Sequence, residues 1–157
     1  MHRHHRYIPL YVNLKKMNTN KQNIKREQSA MAVVRCNGKI LCIVEEIYGK
    51  PVLSLPKGHV EGSESVIEAA IRECFEETDV ILSTKDVVRL LENYSYSFST
   101  PDGQQICKTL CPVLFHLSQE QTPRAKEKRI LQAKFVDIDS FLRDCSYDNI
   151  VNLVKNI

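Results

Sequence analysis

The chain has 157 residues, 43% of them hydrophobic, which is the size of one compact domain with a real core. No run approaches the roughly 18 consecutive apolar residues of a transmembrane helix, so no membrane partner is expected. The net charge of +3 is uneven: residues 1–28 hold seven Lys/Arg and one Glu, while residues 29–157 hold fifteen Lys/Arg and eighteen Asp/Glu. A mildly acidic domain argues against a DNA-binding surface, although the basic tail is able to touch polyanions.

The chain opens MHRHHRYIPLYVNLKK. This lacks the continuous apolar core of a secretion signal. It is poor in acidic residues, as transit peptides are, but it is not Ser-rich and shows no amphipathic helix. We read residues 1–28 as a disordered basic extension ahead of a domain over residues 29–157. Initiation at Met17 and targeting are the alternatives. His2, His4 and His5 are expected to be solvated. The six cysteines form no CxxC pair and lie mostly in apolar runs. They read as reduced core residues of a cytoplasmic protein. Cys107 and Cys111 would share a strand face, but no partners for a metal clip accompany them.

From Ser29 the pattern is that of strands. Ala32, Val33 and Val34 precede Asn37-Gly38, and Ile40, Leu41, Ile43 and Val44 follow, a strong hairpin signal. A third run, Val52 to Leu55, is expected to stop at Pro56-Lys57-Gly58. A helix is predicted from about Ser65 to Glu77, with Ser65 and Glu68 as a capping box. A second hairpin has arms of about Val87–Ser99 and Gln104–Leu117, turning at Asp102-Gly103. A charged loop spans residues 118–129, and Lys134 to Val136 reads as a last short strand. Ile138, Phe141, Leu142, Ile150, Val151, Leu153 and Val154 give a terminal helical region, with Asp148 as a cap. The order predicts an α/β fold, a mixed sheet with helices on its faces.

Around the predicted helix, Ile67, Ala70, Ile71, Cys74 and Phe75 form an apolar stripe. Glu73, Glu76 and Glu77 fall on the opposite side, in the last turn. Carboxylates there repel one another and oppose the helix dipole, at roughly 0.3–1 kcal/mol each. A local rule broken this consistently points to a functional site. A divalent cation is the natural compensator. Oxygen ligands suit magnesium or manganese, and the lack of nearby His or Cys argues against zinc.

Residues 58–80 read GHVEGSESVIEAAIRECFEETDV. This segment resembles the Nudix box, with Gly58, Glu64, Arg72, Glu73, Glu76 and Glu77 matching in identity and spacing. Six such matches coincide by chance on the order of once in ten million windows. Two positions depart. Cys74 replaces an aliphatic residue, and Asp79 replaces a glycine that commonly supplies a left-handed backbone after a helix. Asp tolerates that conformation better than most residues, so the turn is expected to survive.

The resemblance implies a Nudix-type α/β/α sandwich. It also implies that Glu73, Glu76 and Glu77 ligate Mg (or Mn), with the backbone carbonyl around Lys57 and Gly58. Arg72 would orient the carboxylates, Glu64 would support the loop-to-helix geometry, and Gly58 would permit close backbone approach. Glu73 is the candidate base. Some members use a Glu before the last strand, where Gln132 stands here, so Glu120 and Glu127 are alternatives. The implied activity is hydrolysis of a phosphate–phosphate bond in a small-molecule nucleotide substrate.

Tyr96 lies where relatives acting on diadenosine polyphosphates carry a base-stacking Tyr, and Tyr94 and Phe98 would be its same-face neighbours. Leu55 to His59 and Lys108-Thr109 also resemble that branch. The three aromatics equally suit plain cover of a sheet face. Lys57, Tyr96 and Lys108 are the candidate substrate contacts, while Arg124, Lys126, Lys128 and Arg129 read first as a solvated loop. A diadenosine polyphosphate is the leading substrate. A nucleoside triphosphate, an RNA 5′ end, and a non-catalytic nucleotide-sensing module are the alternatives. The oligomeric state and the number of metal ions stay open.

Overall fold

The computed structural model describes residues 23–157. The expectations for Met17 and the N-terminal histidines lie outside these residues. Its chain order is β1 (Lys25–Cys36), β2 (Lys39–Ile47), β3 (Lys50–Ser54), β4 (Lys57–His59), α1 (Val66–Thr78), β5 (Val87–Leu90), β6 (Tyr94–Ser99), β7 (Gln105–His116), β8 (Ile130–Asp137), α2 (Ile138–Asp144) and α3 (Asp148–Lys155). The strands form one mixed eight-stranded sheet.

The centre is β1 paired in parallel with β7, from Lys25 opposite Ile106 to Arg35 opposite His116. The middle of β1 is continuously buried because helices cover both of its faces. Ala30, Ala32 and Val34 pack towards Ala69, Ala70 and Cys74 of α1. Met31 and Val33 pack towards Phe141 of α2 and Ile150 and Val154 of α3. The result is the expected α/β/α sandwich.

Asn37 (φ 52°) and Gly38 (φ 74°) are both left-handed, so the predicted hairpin joins β1 to β2. The Asp102-Gly103 hairpin joins β6 to β7. A second left-handed pair, Tyr48 and Gly49, turns β2 into β3.

Four local expectations change. First, the chain does not leave the sheet at Pro56. Pro56 accepts a hydrogen bond from the Ala32 N–H at 2.9 Å, and Lys57–His59 re-pairs with Met31 to Ser29. Strand β2 pairs with β1 only at Arg35 and Cys36, which leaves that edge of β1 open for β4. Second, the arm expected as Val87–Ser99 is broken between Leu90 and Tyr94. The gap faces Pro112, which has no N–H to donate to a partner strand; its carbonyl accepts from Leu91 N–H instead. Third, the last strand runs from Ile130 to Asp137 along β2, longer than its apolar pattern indicated. Fourth, the terminal helical region is two helices. The N-cap of α3 is Tyr147, with Asp148 in the first turn, where its charge favours the helix dipole.

Candidate active site

Helix α1 is N-capped by Ser65, whose hydroxyl accepts from Glu68 N–H at 3.1 Å while the Glu68 side chain accepts from Ser65 N–H at 2.6 Å. This is the predicted capping box, and it fixes where the loop from β4 enters the helix. At the other end Asp79 takes the left-handed C-cap conformation (φ 61°) and donates its N–H to Phe75. The turn therefore survives without glycine.

The predicted orientation of α1 needs correction. Phe75, placed on the apolar stripe, is 41% exposed and lies under the Lys126 ammonium, 3.6 Å from the ring centroid. Glu73 and Glu77 are instead only 7% and 0% exposed. Ala69, Ala70 and Cys74 are the fully buried apolar residues of α1, while Ile67 and Ile71 of the predicted stripe pack against them only partly buried, so the helix is rolled towards its acidic side. A helical wheel places residues relative to one another, but it cannot say how far the helix rolls on the sheet.

Arg72 organises the solvent side of the cluster. Its Nε and Nη2 donate to Glu64 at 3.1 and 2.7 Å. Its Nη1 donates to Glu73 at 2.9 Å and to Glu76 at 3.1 Å. Its Nη2 also reaches the His59 carbonyl at 2.9 Å. Glu64 further accepts from Glu61 N–H at 2.8 Å. One planar fork thus ties β4, the loop and two helical carboxylates together. Hydrogen bonds from Arg72 and Glu61 hold the Glu64 carboxyl below its ordinary range. Burial pushes Glu73 upward despite Arg72.

Gly58 passes directly over this cluster. A Cβ there would fall inside the Glu73 carboxylate, so only glycine permits the approach.

Behind α1 lies a second cluster that the sequence did not reveal. Glu45 of β2 is 5% exposed. It accepts from Lys57 at 2.7 Å and from Arg129 at 2.8 Å. Arg129 also donates to Glu77 at 2.6 Å and lies 3.3 Å from Glu127. The available signal for Glu45 was its place in an apolar strand, on the same side as Leu41 and Ile43. Arg129 had been read as part of a solvated loop. Burial raises Glu77 to about 7, against the pull of Lys57 and Arg129. For Arg129, burial alone would lower the pKa, but Glu77 and Glu45 raise it.

The candidate substrate residues share one sheet face. Tyr96 pairs with Lys108 across β6 and β7, on the side where Tyr94, Tyr96 and Leu110 pack. The Tyr96 ring stacks on Phe98 with centroids 6.0 Å apart. Lys108 is lowered by burial and then by the charge of Lys57, which places the two ammonium groups in one electrostatic neighbourhood. Tyr96 is raised by burial and by Glu45 and Glu27. The alternative bases differ in place: Glu127 lies beside Arg129 and its charge acts on Glu73, whereas Glu120 lies apart. Glu120 pairs with Lys39 at 3.3 Å, and Gln132 lies exposed on β8 opposite Val44.

Glu73, Glu76 and Glu77 fit a hard divalent cation in kind, since all their donors are carboxylate oxygens. Glu77 Oε2 is buried with no hydrogen-bond partner, an acceptor that a cation would satisfy. Among the described residues, no three acidic, histidine or cysteine side chains converge on one metal-binding point. Arg72 draws Glu73 and Glu76 to itself, and Arg129 draws Glu77.

A family profile for the NUDIX domain matches residues 25–156. The chain belongs to the Nudix family. Among curated Nudix relatives, the phosphatase NudJ of Escherichia coli K12 is 36% identical over 66 residues, covering 42% of this chain and 43% of that protein. The matched segment therefore spans less than half of the relative. The NUDIX domain of Shewanella oneidensis NrtR, solved with ADP ribose, superposes with a TM-score of 0.67 at 14% identity, covering 83% and 87% of the two chains. A Caenorhabditis elegans Ap4A hydrolase, solved as a binary complex, superposes with a TM-score of 0.59 at 16% identity, covering 82% and 93%. Both share the fold of this chain.

Proposed function

We propose that this Nudix protein is a magnesium-dependent hydrolase that cleaves a phosphate–phosphate bond in a nucleotide, with a diadenosine polyphosphate as its preferred substrate. The observation that carries the reading is the buried carboxylate set. Glu73 and Glu77 are removed from water at a helix C-terminus, where no dipole favours them, and one Glu77 oxygen is left unpaired. Such an arrangement is costly. Arg72 and Arg129 offset part of that cost, and a metal cation would satisfy the remaining Glu77 oxygen. All the box carboxylates are retained, which favours catalysis over nucleotide sensing.

Glu73, Glu76 and Glu77 would hold the metal, with the Lys57–Gly58 backbone beside them. When bound, the cation supplies neutralisation of phosphate oxygens and a more acidic water. Arg72 keeps Glu73 and Glu76 aimed through its fork. Glu73 is the candidate to accept the proton of the attacking water. Lys57 and Lys108 bind the phosphate chain from the opposite side, and the partly buried face of Tyr96 stacks on a base. Electrostatic positioning of this kind dominates phosphoryl transfer.

A hydrolysis screen with magnesium tests this, with EDTA and Glu76→Gln as controls. The panel is diadenosine tetraphosphate, the nucleoside triphosphates, ADP-ribose and 5′-triphosphate RNA. Preferred, metal-dependent conversion of diadenosine tetraphosphate to ATP and AMP is the expected result. Preference for a triphosphate or an RNA end would replace the substrate. Nucleotide binding without any turnover would replace catalysis with sensing.

A further inference from the structure

The box glycine is replaced here by Asp79, and the replacement brings a set of contacts with it. Asp79 Oδ2 accepts from Arg124 Nη2 at 2.7 Å and Nε at 3.2 Å, and Oδ1 lies 3.3 Å from Lys126 Nζ. The Lys126 ammonium in turn covers the ring of Phe75, one turn earlier in α1. The backbone joins at the same place, with Arg124 N–H donating to the Thr78 carbonyl at 2.8 Å. On the other side, Gln121 clamps the Ile81 backbone, accepting from its N–H and donating to its carbonyl, both at 2.8 Å. The 118–129 loop is thus fastened to the end of α1 along its length.

Beyond the clasp, the loop runs directly into the buried cluster. Glu127 accepts from Ile130 N–H at 3.0 Å, and the Arg129 carbonyl accepts from Glu46 N–H at 2.8 Å. Arg129 then spans Glu45 and Glu77. A glycine at position 79 would supply the left-handed turn equally well, but it has no carboxylate to hold Arg124 and Lys126. Each of these pairs is partly exposed and weak by itself. Their geometry is nonetheless convergent, with two cations on two oxygens of one carboxylate at a fixed backbone turn.

We propose that Asp79 is a positioning residue: its carboxylate clasps the 118–129 loop to the end of α1 and thereby sets Arg129 between Glu45 and Glu77. The proposal rests on the catalytic reading only for its effect on turnover. The placement of the loop is testable by itself.

The test is amide hydrogen exchange on the full chain, comparing Asp79→Gly, Asp79→Asn and the Arg124→Gln/Lys126→Gln double variant. Asp79→Gly keeps the turn, so its thermal midpoint is expected to stay close to that of the unaltered chain. The Arg124 amide, and the remote Ile130 and Glu46 amides, are expected to exchange several-fold faster in Asp79→Gly and in the double variant. Asp79→Asn should fall between. In molar salt, where the screening length is about 3 Å, the unaltered chain should move towards the variants. Hydrolysis should show a several-fold loss in kcat. Unchanged protection at Ile130 and Glu46 in Asp79→Gly would overturn the proposal and leave Asp79 a helix cap. If the unaltered chain hydrolyses nothing, the catalytic reading fails, while the exchange data still decide the clasp.

Discussion

Replacing Gly58 with alanine tests the close approach on which the site is built. The added Cβ would lie within the Glu73 carboxylate, and Glu73 has little room to retreat because it is 7% exposed and held by Arg72 at 2.9 Å. Overpacking of this kind costs ~1–3 kcal/mol. Alanine recovers ~0.4–1 kcal/mol by restricting the unfolded chain. The net loss is then ~1–2 kcal/mol, a fall of ~2–8 °C in Tm at this chain length. Thermal or urea unfolding of Gly58→Ala, Glu73→Ala and the double variant isolates the cause. In the Glu73→Ala background the three atoms nearest the added Cβ are gone, so its cost should fall sharply, with a coupling of ~1–2 kcal/mol. If Gly58→Ala costs the same in both backgrounds, the collision with Glu73 is not why glycine stands there.

Four further outcomes are expected. Because burial raises Glu77 to about 7, the folded state holds that proton more tightly than the unfolded chain. With EDTA present, stability should therefore fall as pH climbs from the ordinary glutamate range to about 7, by up to ~3 kcal/mol, and Glu73 shifts in the same direction. A urea midpoint that rises over this range would contradict the assigned burial. Tyr96→Ala should raise KM for a dinucleoside polyphosphate in proportion to a lost stacking contact of ~1–3 kcal/mol, while Tyr96→Phe should not; steady-state kinetics that show equal effects would remove the ring from the binding site. Arg72→Lys should lower kcat/KM roughly tenfold, since one ammonium cannot span Glu64, Glu73, Glu76 and the His59 carbonyl, and each lost charge-assisted bond is worth ~1.5 kcal/mol. Among the described cysteines, buried Cys42 and Cys74, both raised to about 12 by burial, should resist a thiol reagent in the native protein while the partly exposed Cys107 reacts, as mass mapping of the labelled chain would show.

The elements and the core of the site could be read along the chain because their causes are local. Asn37-Gly38 and Asp102-Gly103 specify turns through backbone conformation, and Ser65 with Glu68 specifies a helix start through reciprocal hydrogen bonds. The box spacing is itself a helical and loop geometry, so Gly58, Glu64, Arg72, Glu73, Glu76 and Glu77 could be named together. Asp79 could be expected in a left-handed turn because its conformational tolerance belongs to the residue.

What the sequence left open depends on surfaces meeting across the sheet. The roll of α1 buries Glu73 and Glu77 and exposes Phe75, and it is set by how Ala69, Ala70 and Cys74 fit against β1 and β7. Glu45 and Arg129 lie 84 positions apart, and only the pairing of β8 on β2 brings their charges together behind the helix. Residues Lys57–His59 carry no strand pattern, and they join β1 because β2 leaves that edge unpaired. Periodicity and spacing describe one segment at a time. The desolvation and ion pairing that give these carboxylates their chemistry arise between segments, so tertiary structure alone decided them.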